Sequence, residues 1–213
     1  MTNDKTRLKI YNIKMTNKKD LVQDNYLKYK ICVSGAADTG ICAIDATQKA
    51  EELGREVVRQ GMVLVTGATT GAPFWAAKGA KEEGGMVIGL SPAVSEQAHI
   101  KSYKLPTDYH DVIVYTGFEY SGRNLLLTRS ADAVAIVCGR MGTLNEFTIA
   151  FEDQKPIGIL EKTGGIADEI RDIIKKANRG PGNVVYESDP AKLVAKLKDM
   201  IAKEKQKNGR NKS

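Results

Sequence analysis

The sequence predicts an α/β fold, a doubly wound parallel sheet of about seven strands with helices on both faces. Three observations lead there. From residue 30 onward, short apolar runs alternate with amphipathic stretches of helical length, as in parallel strands joined by crossover helices. The run Ala133-Val134-Ala135-Ile136-Val137 lacks any polar residue, which suits a strand covered on both faces. Two small-residue loops, one from Ser34 to Gly40 and one from Gly67 to Gly71, follow the first two strands, where open α/β sheets bind ligands.

The elements follow in order. A strand near 30–34 leads to a helix from Ala46 to Gln60, which stops at Gly61, a residue suited to a helix C-terminus. Strands near 62–66 and 86–90 flank a helix over 73–83. The connection 91–108 is the longest and is a candidate lid or interface loop. After a strand near 111–115, Ser121-Gly122 can cap a helix over 122–131 whose Leu125, Leu126 and Leu127 supply docking surface. The strand 133–138 is followed by a helix over 143–153, and the strand 156–160 by a helix over 166–178. A last strand near 184–186 precedes a helix over 190–205, with Asp189 as N-cap and Pro190 in the first turn.

A chain of 213 residues fits one such domain, with boundaries at 30–202. The formal charge of +6 is unevenly spread. Residues 1–30 hold eight Lys/Arg against three Asp, and residues 203–213 hold five Lys/Arg against one Glu, so the interior is acidic. Residues 1–29 therefore read as a basic, flexible N-terminal extension and 203–213 as a fraying basic tail. A nucleic-acid partner is disfavoured, because such proteins usually carry their positive stripe on the folded domain. The three cysteines, Cys32, Cys42 and Cys138, form no CxxC pair, which argues against disulfides and structural zinc. No apolar stretch reaches membrane-spanning length and the polar start lacks a signal core, so a cytoplasmic location is expected.

The chemistry concentrates in Gly139-Arg140-Met141-Gly142-Thr143-Leu144-Asn145-Glu146, a glycine turn opening a helix after a buried strand. Glycines let a ligand approach the backbone, and first-turn amides attract anions. Thr143 and Glu146 also have the spacing of a capping box, a common helix start. Arg123, at the start of the preceding helix, would bring a guanidinium to the same crevice. Neither small-residue loop matches a dinucleotide fingerprint or a phosphate loop, yet three such loops on one edge favour a nucleotide-sized pocket. Cys138 reads as a small, partly buried filler with no histidine placed to activate it. His99 and His110 lack metal-ligand spacing, so neither a metal nor a resident cofactor is expected.

On these residues the chain resembles the LOG (Lonely Guy) family, long mislabelled as lysine decarboxylases. Gly139 to Glu146 is similar to the signature PGGxGTxxE, and Arg123 lies at the family's interval before the glycines. The similarity runs from about Tyr29 to Ile201. It implies a Rossmann-like fold, a homodimer or dimer of dimers, and a site for a nucleoside monophosphate. Active members cleave the bond between adenine and ribose 5-phosphate. By that resemblance Arg123 and Glu146 match a catalytic pair, Gly139, Gly142 and Thr143 match a phosphate-binding turn, and Glu119 matches an acidic position with a supporting role.

Four departures matter. Cys138 stands for proline, Arg140 for glycine, Ser121 for histidine and Asn124 for lysine. The Gly122-Arg123-Asn124 variant is closer to a branch that includes molybdenum-cofactor-carrier-like proteins.

Two functions follow as expectations. One is a phosphoribohydrolase that breaks the N-glycosidic bond of a purine nucleoside 5'-monophosphate, with Glu146 beside an oxocarbenium-like centre. Arg123 would orient Glu146 or substrate, and Gly35, Gly67, Gly71, Gly139, Arg140, Gly142 and Thr143 would surround the nucleotide, with Glu119 and Asn124 in support. The other is a non-catalytic carrier or sensor of a nucleotide or a phosphorylated cofactor such as molybdenum cofactor, favoured by the substitutions at Ser121, Asn124 and Arg140.

Overall fold

A computed structural model describes residues 27–210. The expected extension at 1–29 lies almost wholly outside them, as does the end of the tail. Seven strands, β1 (Lys30–Gly35), β2 (Val63–Thr66), β3 (Val87–Ser91), β4 (Val112–Tyr115), β5 (Ala133–Val137), β6 (Ile157–Leu160) and β7 (Val184–Glu187), form one sheet in the order β4-β3-β2-β1-β5-β6-β7. Every pairing is parallel.

The order reverses between β1 and β5. A chain that winds outward from that point in both directions leaves a crevice between the loops following those two strands.

Helices cover both faces. The helices α1 (Ala46–Arg59), α2 (Ala72–Glu82) and α7 (Pro190–Arg210) pack on one side, where Ala50, Leu53, Val57, Ala76, Leu193 and Leu197 form a core with β1, β2 and β5. The helical period explains the choice: Ala46, Ala50, Leu53 and Val57 recur at the spacing that points one face of α1 at the sheet. On the other side α4 (Glu119–Ser130), α5 (Met141–Glu152) and α6 (Gly165–Ala177) bring Leu127, Phe147, Ala150 and Ile170 against Cys32, Val134, Ile136 and Ile159. The strands β2, β5 and β6 are buried throughout, in keeping with sequences that are apolar except for Thr66 at the end of β2.

Several elements differ from the sequence reading. The connection after β3 contains a short helix, α3 (Glu96–Lys101), capped by the Ser95 hydroxyl, which accepts from the Ala98 amide. The helix α4 begins at Glu119, so Ser121 and Gly122 lie inside it and cap nothing. Likewise α7 continues to Arg210, past the point at which a fraying tail was expected. The Asp189 cap is present: its carboxylate accepts from the Lys192 amide at 3.0 Å.

The strongest correction concerns the cysteines. Cys42 and Cys138 form a disulfide across 96 residues of sequence, with Cα atoms 5.6 Å apart. Sequence spacing hides the pair, because the switch point folds the loop after β1 against the end of β5. Cys138 is thus a fully buried half-cystine rather than a filler.

Candidate functional site

The carboxyl ends of β1 and β5 lie side by side, Gly35 in register with Val137, and a cleft of about 360 Å³ opens above them. Its walls are the loop after β1, the start of α4 and the first turns of α5. Of the expected site residues, Gly35, Gly67, Arg123, Asn124, Arg140, Gly142, Thr143 and Glu146 line it. Gly71, Gly139 and Glu119 do not. Gly71 instead packs under the Ala36 and Ala37 carbonyls, and Glu119 accepts from the Tyr103 hydroxyl away from the cleft.

Arg123 is set in α4 and only 4% exposed, not a first-turn surface residue. Its guanidinium lies on the backbone of Gly67, where any Cβ would overlap it. Among the described residues no carboxylate comes within 4.0 Å of it. Its one hydrogen bond among the described residues is long, from Nη1 to the Leu90 carbonyl at 3.4 Å. The buried Nε has no hydrogen-bond partner among the described residues. A buried cation left so poorly compensated is costly, and at the floor of a cleft it marks a place for an anion.

Glu146 is 6% exposed. The capping box does not form: the N-cap of α5 is Arg140, with no side-chain cap, and Thr143 and Glu146 are both inside the helix. The carboxylate instead reaches across to β1, where Ser34 donates to Oε2. With the Asn124 amide turned so that its nitrogen faces the carboxylate, Asn124 donates to Glu146 Oε1 and to the Tyr120 carbonyl, each at 2.9 Å. Burial raises the Glu146 pKa, while the charge of Arg123 and the Ser34 hydrogen bond oppose that shift. Ser34 and Tyr120, whose ring has the Arg123 guanidinium carbon 5.9 Å from its centroid, were not singled out beforehand. Position at the end of β1 was the only sequence signal for Ser34.

The turn before α5 is built for close approach. Gly139 has φ +104, a conformation open to glycine, and Thr143 packs where its Cβ would be. The first turn of α5 carries no side-chain cap, so its leading amides remain available to an anion. Open space surrounds the Cα of Gly142. Arg140 extends over the cleft mouth and pairs with Asp38 of the opposite wall at 2.9 Å, both side chains largely exposed.

No group of three or more His, Cys, Asp or Glu among the described residues could hold a metal ion. No described helix is long and apolar enough to cross a membrane.

Comparison with known proteins adds family evidence to this geometry. A family model described as the SLOG cluster4 family matches residues 28–194. A protein of Archaeoglobus fulgidus is 29% identical over 132 residues, 62% of this chain and 82% of that one. Among solved structures, the molybdenum cofactor binding protein of Rippkaea orientalis is 27% identical with a TM-score of 0.68, covering 83% of this chain and 99% of that one. The molybdenum cofactor carrier protein of Chlamydomonas reinhardtii is 28% identical with a TM-score of 0.65, over the same shares.

Proposed function

The chain belongs to the SLOG cluster4 family, and from that premise we propose that it binds and carries, or senses, a phosphorylated small molecule: a nucleotide or a phosphorylated cofactor of the molybdenum cofactor type. One observation carries this reading. The Arg123 guanidinium is buried at the cleft floor with an unpartnered Nε and no carboxylate within 4.0 Å, beside the uncapped start of α5. A phosphate there would accept charge-assisted hydrogen bonds from both. The relatives named for binding or carrying molybdenum cofactor, matched over 99% of their lengths, favour cargo of that class.

The hydrolase reading shares the residues but asks more of Glu146. A carboxylate beside the sugar must be charged to stabilise an oxocarbenium centre, whereas burial favours the neutral form here. Ser34 and Asn124 also occupy both of its oxygens. One experiment separates the two. Purified protein is mixed with AMP or with molybdenum cofactor, and bound ligand and released adenine are both measured. Tight binding without adenine release supports the carrier; adenine release that stops in Glu146→Gln supports the enzyme.

The same reading includes a second copy of the chain. The partners of Val112 and Val114 in β3 are Ile88 and Leu90, which face the α4 side, yet Val112 and Val114 are exposed, as are Leu125 and Leu126 of α4. An apolar face of this kind suits a homodimer.

A further inference from the structure

The Cys42–Cys138 disulfide joins the loop after β1 to the end of β5, just outside the lining of the cleft, and those two segments lead into its opposite walls. Cys138 immediately precedes the turn that leads into α5, and its own backbone is pinned independently. Its amide donates to the Thr163 hydroxyl at 2.8 Å, and its carbonyl accepts from the Ala167 amide at 2.8 Å. Cys42 belongs to the opposite loop, whose near end is fixed by other bonds. The Ala72 amide and the Thr70 hydroxyl donate to the carbonyls of Ala36 and Ala37 at 2.9 and 3.0 Å.

Between these anchors lies a span from Asp38 to Ile41 tied mostly to itself: the Gly40 amide donates to Asp38 Oδ1 at 3.1 Å and the Cys42 amide to the Thr39 carbonyl at 2.9 Å. Its salt bridge from Asp38 to Arg140 is exposed, and such pairs hold weakly. Beyond it, the Ala43 amide donates to the Thr163 carbonyl at 2.9 Å. Cys42 also pairs with Gly164 in an isolated antiparallel bridge, and the disulfide adds a covalent link from this loop to the end of β5.

We propose that Cys42 and Cys138 are a reversible dithiol–disulfide site that clamps the loop after β1 over the ligand, so that the oxidised protein holds its phosphorylated ligand and the reduced protein lets it go. The inference rests on the ligand reading given above. Cys42 is partly exposed and Cys138 is fully buried, so an incoming thiolate reaches the Cys42 sulfur.

A dithiol reductant supplies the electrons. Its first thiolate attacks Cys42 Sγ, forming a mixed disulfide as the Cys42–Cys138 bond breaks. Cys138 leaves as a thiolate and takes a proton. The reductant's second thiol then attacks its own sulfur in the mixed disulfide, releasing Cys42 as a thiol and leaving the reductant as a disulfide. Oxidation is the same exchange in reverse, with an oxidised dithiol as electron acceptor.

Reduction removes the clamp but leaves the turn at Cys138 pinned, so only the loop is loosened. A ligand that binds the oxidised form more tightly must, by linkage, make the disulfide harder to reduce by the same factor. A tenfold preference corresponds to about 30 mV in the midpoint potential of this two-electron couple.

Two measurements test the clamp on the full chain. Amide hydrogen exchange, without ligand, should quicken across Asp38 to Ala43 on reduction while the first turns of α5 change little. AMP and, separately, molybdenum cofactor should bind the reduced protein at least several-fold more weakly than the oxidised one. Cys42→Ser should match reduced wild type and ignore added dithiol. Equal exchange in the two redox states overturns the proposal, as does equal or tighter ligand binding after reduction. If neither ligand binds either form, the ligand reading fails by itself and the exchange result alone decides the clamp.

Discussion

Arg123 is the residue on which the proposed ligand site turns. Replacing it with Met nearly keeps the volume and removes a buried charge that has no ion pair among the described residues, so Arg123→Met should fold with equal or greater stability in urea while losing anion binding. A stability loss of several kcal/mol would mean that Arg123 is held by interactions within the protein and is not waiting for a ligand. Glu146 gives a pH prediction. Its folded pKa is raised above the ordinary 4.5 by burial. Its favourable contribution is therefore complete below about that pH and is lost as pH rises through the raised value. A bound phosphate beside it would raise it further, so ligand affinity should fall with rising pH. Glu146→Gln should flatten both profiles; unchanged profiles would place the titration elsewhere. Sequence found both residues but not their partners. Nothing in the spacing of Thr143 and Glu146 distinguishes a capping box from a carboxylate crossing to Ser34, because the decision is made by β1, more than a hundred positions away.

At the scale of elements, the strands were legible because β2, β5 and β6 are buried on both faces and, apart from Thr66 at the end of β2, hold no polar residue. The start of α4 was not. Glu119 enters that helix with φ +54, a conformation that residue type does not advertise, and two further turn residues, Ser121 and Gly122, were absorbed into the helix behind it. The site uses α5 for its exposed first turn. Gly142→Val would extend into open space beside the cleft and should leave stability within about 1 kcal/mol, since glycine is itself a poor helix former. It should nonetheless abolish nucleotide binding, read by titration calorimetry. A folded Gly142→Val that binds AMP unchanged would move the phosphate away from this turn.

For the whole molecule, the sheet order explains why the candidate site residues gather. Both halves of the chain wind away from the β1–β5 boundary, so the loops after β1 and β5, about a hundred positions apart, meet there. The same topology brings Cys42 to Cys138, a pairing that cysteine spacing could not disclose. Family membership was readable because the run from Gly139 to Glu146 keeps its order of small and polar residues. The choice between carrier and enzyme was not, because it depends on what surrounds one carboxylate. The uncovered face of β4 and α4 predicts assembly: light scattering should show at least two chains, and Leu126→Glu should yield monomers. A monomeric wild type at micromolar concentration would remove the homodimer.

The most direct test of the central claim is native mass spectrometry of the protein as purified, wild type beside Arg123→Met. A phosphorylated small molecule should accompany the wild type and be absent from the folded variant. Its equal retention by both, or a wild type that binds neither AMP nor molybdenum cofactor when they are supplied, would contradict the assignment of this cleft to a phosphorylated ligand.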